Sequence, residues 1–167
     1  GAGSYAVVAT VEDPFHAGSA TGTLTVAKRP ANVTLGLPEQ TYDGSPRIAT
    51  ATTEPVGLAV AITYDGNAEA PVAAGTYAVV ATVVDPTYAG SAVGALVVSK
   101  ADQTIDFPEF FEVFANDEIQ LAATSRSGLA VTYAVAGGPA VLDGTTLSFT
   151  GVGSVTLAAS QAGDGNW

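Results

Sequence analysis

The chain has 167 residues, 47% of them hydrophobic, and carries a net charge of −11 with only five basic residues. That balance excludes a phosphate-binding nucleic-acid surface and disfavours docking on anionic lipid. It has no cysteine, so neither disulfides nor thiol chemistry is available. Its apolar runs are of strand length, short of the roughly 20 residues a membrane helix needs, and no membrane insertion by this segment is expected.

Residues 1–28, GAGSYAVVATVEDPFHAGSATGTLTVAK, return at 73–100 as AAGTYAVVATVVDPTYAGSAVGALVVSK. The offset is a constant 72, and 19 of the 28 paired positions are identical. Tyr5, Val7, Ala9 and Val11 match Tyr77, Val79, Ala81 and Val83, while Ser4/Thr76 and Glu12/Val84 differ at even positions. Leu24 and Val26 match Leu96 and Val98, while Thr23/Ala95, Thr25/Val97 and Ala27/Ser99 differ. Side chains alternate across a strand, so the unchanged set shares one face and the varying set the other. The unchanged face is expected to be the core face; a helix would scatter the differences at a period near 3.6.

In chain order, residues 1–28 give strands at about 4–12 and 20–28, expected to be the last two strands of a preceding domain. Residues 29–100 form one complete unit, with strands at 31–35, 47–53, 58–64, 75–84 and 92–99. Tyr42-Asp43-Gly44-Ser45-Pro46 and Tyr64-Asp65-Gly66-Asn67 are Asp-Gly turns between strand residues. Residues 101–167 open a third unit of another subtype, in which Gly57-Leu58-Ala59-Val60 recurs as Gly128-Leu129-Ala130-Val131 and Gly151–Val155 aligns with Gly1–Tyr5. Its strands are expected at 103–107, 118–124, 129–135, 139–142, 145–149 and 153–160, without the last strand and with an unpaired edge. The sequence thus reads as an excerpt of a longer array: an all-β fold of tandem immunoglobulin-like β-sandwich domains in an elongated arrangement.

The YDGSP and YDGN turns, AGTYAVVATVVDPTYAG and the closing LVVSKA resemble the MBG/YDG-type immunoglobulin-like repeats of large bacterial surface proteins. The third unit, with QTIDF, LAATSRSGLAVTYAV and TLSFTGVGSVTLAASQAGDGNW, resembles a related bacterial immunoglobulin-like repeat. The resemblance spans nearly the whole chain and implies an extracellular, adhesin-like or stalk-like context with no catalytic residues to transfer. Val155 stands where the other copies have Tyr5 and Tyr77, so a tyrosine-corner anchor is expected in the first two units and not in the third.

Chemical sites are sparse. His16 is the sole histidine and aligns with Tyr88, the mark of a loop position tolerant of either side chain. With one His and no Cys, no nucleophilic triad assembles, and the carboxylates fall in turns rather than in a facing pair. The chain reads as non-catalytic and free of an obligatory cofactor. Calcium is the alternative considered, with Glu12, Asp13, Asp85 and Asp102 near domain ends as oxygen donors. Lys28 and Lys100 close equivalent last strands and read as exposed strand-end charges. The unusual patch is Phe107, Phe110, Phe111 and Phe114, interleaved with Glu, as a plug between domains or a contact for a partner.

Three functions follow. The first is a structural spacer whose partners are neighbouring repeats, since copies that vary only on the solvent face are constrained for fold. The second is an adhesive module binding a host or cell-surface glycan or protein. The third is a fibre subunit joined head to tail by strand complementation.

Overall fold

Val, Thr and Tyr at alternate positions favour extended backbone. The computed structural model describes residues 1–110 and 113–167 and is all-β, with no helix among the described residues. The chain separates into two units, Gly1–Ser99 and Lys100–Trp167.

The first unit contains β1 (Gly3–Thr10), β2 (Ser19–Val26), β3 (Arg29–Pro30), β4 (Asn32–Gly36), β5 (Gln40–Thr41), β6 (Thr50–Glu54), β7 (Val60–Tyr64), β8 (Gly75–Val83), β9 (Tyr88–Ala89) and β10 (Ser91–Ser99). One sheet runs β5-β10-β8-β7; β4 pairs with β6, β3 with β9, and β1 with β2. β4 lies across β10 and β8, closing a sandwich over Ala49, Tyr64, Val79, Leu96 and Val98, against which Leu35, Leu37 and Ile62 pack. Val79, Ala81 and Leu96 are fully buried, whereas Val84 and Val97 from the varying set are exposed. The core face is therefore the one that the two copies share. At the hairpin between β7 and β8, Asp65 and Gly66 both take positive φ, 47° and 83°, the backbone an Asp-Gly turn supplies.

Two expected strands are shortened or split where a backbone N–H turns to a tyrosine hydroxyl. Residues 47–49 leave the ladder because the Arg47 N–H donates to Pro71 O and the Ala49 N–H to Tyr64 Oη, at 2.8 and 2.9 Å. In the second unit the expected 118–124 strand splits, because the Ala123 N–H likewise donates to Tyr133 Oη at 2.7 Å. A tyrosine hydroxyl, buried at Tyr64 and partly buried at Tyr133, replaces a neighbouring strand as acceptor.

β1 and β2 repeat the pairing of β8 and β10 residue for residue, from Gly3↔Val26 to Thr10↔Ser19 against Gly75↔Val98 to Thr82↔Ser91. Their burial is opposite. Leu24 is 56% exposed where Leu96 is 0%, and Val7 48% where Val79 is 0%. The glycines show the same contrast. A Cβ on Gly90 would sit 2.1 Å from Ala31 O, whereas at the equivalent Gly18 the nearest atom is a Val11 methyl at 3.6 Å.

The second unit contains β11 (Ile105–Asp106), β12 (Glu118–Gln120), β13 (Thr124–Ser125), β14 (Thr132–Gly137), β15 (Ala140–Asp143), β16 (Thr146–Phe149) and β17 (Thr156–Ser160). β11 pairs with β13, β12 with β16 and β16 with β15, and β14 with β17 across a bulge between Val135 and Gly137. Leu121 and Leu147 are its large buried side chains.

Two outcomes are expected. Leu96→Ala costs about 2–5 kcal/mol as a core cavity, while Leu24→Ala stays within about 0.5 kcal/mol, measured by denaturant unfolding. Gly90→Ala destabilises by about 1–3 kcal/mol through its clash with the Ala31 carbonyl, and Gly18→Ala is silent in the same assay.

Candidate functional site

The chemistry-bearing residues concentrate in three equivalent loops, Asp13-Pro14-Phe15-His16, Asp85-Pro86-Thr87-Tyr88 and Asp164-Gly165-Asn166-Trp167. Each aspartate turns its Oδ1 onto the backbone that follows, as Asx turns do. Asp13 Oδ1 accepts the Phe15 N–H at 2.8 Å, with His16 Nδ1 also 2.8 Å away. Asp85 Oδ1 accepts the Thr87 N–H, the Thr87 hydroxyl and the Tyr88 N–H at 2.7, 2.8 and 2.9 Å. Asp164 Oδ1 accepts the Asn166 and Trp167 N–H groups at 2.7 and 3.0 Å.

These donors favour the charged carboxylate. The His16 contact, then the Phe15 N–H, hold the Asp13 carboxyl below its ordinary range. The Thr87 N–H and hydroxyl do the same for Asp85, and the Ser45 N–H, followed by Arg47 2.5 Å away, for Asp43.

The two strand-end lysines converge on these loops. Lys28 Nζ donates to the Asp85 carbonyl at 2.7 Å, and the next residue, Arg29, gives its N–H to Thr87 O at 2.7 Å. Lys100 repeats this in the second unit: its Nζ donates to the Asp164 carbonyl and to Trp167 O, and the Ala101 N–H donates to Asn166 O at 2.8 Å. Reading the lysines as plain strand-end charges missed this role. The signal that carried it was the pairing of an invariant Lys with a repeated Asp-x-x-aromatic loop.

Of the proposed calcium donors, Asp13 and Asp85 serve separate turns, and Glu12 and Asp102 are exposed. Among the described residues no three His, Cys, Asp or Glu side chains converge on one point. The phenylalanines are gathered differently. Phe107 meets the Phe110 ring edge-on at 5.6 Å and the Tyr133 ring at 6.1 Å. Phe110 and Phe114 line an apolar groove of about 290 Å³ with Ile119, Leu147, Val155 and Leu157. Phe111 lies outside the described residues. The expected tyrosine anchors are present: Tyr5 Oη donates to Gly1 O at 2.6 Å and Tyr77 Oη to Ala73 O at 2.9 Å, each four residues upstream. Val155 has no hydroxyl with which to repeat them. Trp167, closing the third loop, receives the Arg126 guanidinium 5.7 Å from its ring centroid.

Strand pairs repeated in identical register, with stitched loops and anchoring tyrosines, define an all-β protein with a repeated β-sandwich element. The profile of the MBG domain family matches residues 1–30 and again 31–102, and the chain belongs to that family. MBG domains are typical of bacterial surface proteins. Searches of curated proteins and of solved structures return no match.

A carboxyl held below its unfolded value contributes stability above that value and loses it as pH falls through the folded one. The contribution of Asp85 is therefore complete at neutral pH and fades below the ordinary carboxylate value of 3.8. Asp85→Asn is expected to lower Tm at pH 7, with the deficit shrinking toward zero at roughly pH 2, in thermal melts followed by circular dichroism.

Proposed function

We propose that this segment is a non-catalytic spacer in a large extracellular bacterial surface protein. The observation that carries the reading is the pattern of difference between the copies. Substitutions between residues 1–28 and 73–100 spare the face that is buried in the complete repeat and fall on the solvent face at Glu12/Val84 and Thr25/Val97. That pattern keeps every inward position of the two strands while letting outward positions change, and the outward residues that stay the same include the Asp and Lys that hold the loops.

The stitching of Lys28 and Lys100 to the Asp85 and Asp164 loops supports the same reading. The peptide following each lysine is held by backbone hydrogen bonds at Arg29 and Ala101, which restricts the chain where a flexible linker would leave it free.

Small-angle scattering on the monomeric fraction after size exclusion tests the reading. An extended, stiff particle is expected, and Lys100→Met should broaden its distance distribution. A compact globule, or a profile that Lys100→Met leaves unchanged, would count against the spacer.

A further inference from the structure

The segment by which the chain enters the complete repeat, residues 29–42, runs parallel to the strands by which it leaves. β3 pairs with β9 as Arg29↔Tyr88 and Pro30↔Ala89, and β5 with β10 as Gln40↔Val98 and Thr41↔Ser99. A parallel register sets entry and exit at opposite ends of this seam, separated by the run of β9 and β10, roughly 35 Å. β2 precedes the seam in the chain and β11 follows it, so tension passed along the backbone arrives at Arg29 and leaves at Ser99.

The seam is held at both ends by main-chain bonds. The Arg29 N–H donates to Thr87 O at 2.7 Å and the Ala31 N–H to Ala89 O at 2.8 Å. At the far end the Tyr42 N–H donates to Ser99 O at 2.8 Å. Between the two patches β4 crosses to the other layer and pairs with β6 from Asn32↔Glu54 to Gly36↔Thr50. Two residues suit the first patch. Pro30 stands between the donors Arg29 and Ala31, where alternation turns its nitrogen away from β9, so its missing N–H removes no bond. Gly90 lacks the Cβ that would collide with the Ala31 carbonyl.

Bonds between strands lie across the strand axis. Drawing Arg29 and Ser99 apart therefore slides residues 29–42 along β9, β10 and β6, and both patches and the β4–β6 ladder take the force together. β10 is held to β8 by eight pairs, Ser91↔Thr82 to Val98↔Gly75, so the shorter seam is the element that yields first. We propose that the seam of residues 29–42 against 87–99 is a mechanical clamp that resists tension between neighbouring repeats. The spacer reading supplies only the source of that tension; the geometry belongs to the repeat itself. The second unit repeats the first bond of the seam, with the Ala101 N–H on Asn166 O at 2.8 Å.

The chain has no native cysteine, so introduced ones set the direction of pull. In the whole chain, handles on Ala27→Cys and Asp102→Cys load the seam in shear. Handles on Ser45→Cys and Asp102→Cys peel it open from the Ser99 end, and all three positions are exposed. Single-molecule force spectroscopy at one loading rate is expected to give a shear force at least about two-fold above the peeling force, because bonds loaded together share it. The shear event should lengthen the tether by roughly 200 Å, the extended span of the intervening residues less their folded separation. Arg29→Pro deletes one seam donor at an exposed position, and should lower the shear force while leaving the peeling force as it was. Equal forces in the two directions, a comparison that needs no seam variant, would overturn the clamp. So would a shear force indifferent to Arg29→Pro in a chain whose melting curve shows it folded. The spacer reading fails separately, on a compact particle in solution scattering, whatever the unfolding force.

Discussion

A strand that alternates apolar and polar residues has one face that must be covered, and everything in the first unit follows from how that cover is supplied. β8 and β10 present Val79, Ala81, Leu96 and Val98 on one side. β4 crosses them with Leu35, Leu37 packs beside it, and β7 brings Tyr64 to the same layer. Gly94 lets the two leucines approach the sheet, and Gly90 leaves room for the Ala31 carbonyl. With no cysteine, no disulfide assists this burial. The hairpin of β1 and β2 shows the same residues without the cover, open to water although their pairing is unchanged. Hydrogen-bonded register and hydrophobic burial are thereby separated within one molecule.

The loops use a different economy. Asp13, Asp85 and Asp164 each organise the next two or three residues through their own backbone, so these turns depend on neighbours in sequence rather than on the sandwich. The lysine that reaches the Asp85 or Asp164 loop bonds a main-chain carbonyl and leaves the carboxylate to its turn. Tyr5 and Tyr77 secure the entry to their strands by a bond four residues back. The third copy has Val155 in that place, while its Tyr133 repeats the role of Tyr64, accepting the Ala123 N–H as Tyr64 accepts that of Ala49.

Much of this was legible in the sequence because the chain contains its own comparison. Matching Tyr77 to Tyr5 and contrasting Val97 with Thr25 identified the buried face, the strand pair and the tyrosine anchors without any propensity scale. What stayed hidden depends on contacts far apart in the chain. The short strands Arg29–Pro30, Gln40–Thr41 and Tyr88–Ala89 exist through parallel pairings with no local alternation to announce them. The late start of the 47–53 strand and the break in the 118–124 strand depend on which tyrosine hydroxyl lies nearby. The Phe107–Phe114 patch could be recognised as unusual. That Phe110 and Phe114 line a groove with Leu147, Val155 and Leu157 could not be read, because those residues are brought together only by contacts distant in sequence.

The identity of register between the two hairpins has a consequence for how such a protein changes length. Because Gly3↔Val26 and Gly75↔Val98 begin ladders that agree pair for pair, a recombination seam anywhere inside them joins two half-strands that still align and still bury the same residues. A repeat gained or lost at such a seam changes the chain by 72 residues and keeps the strand register. A lineage carrying this gene could thus alter the number of repeats in its product while keeping the inward-facing residues of each strand pair.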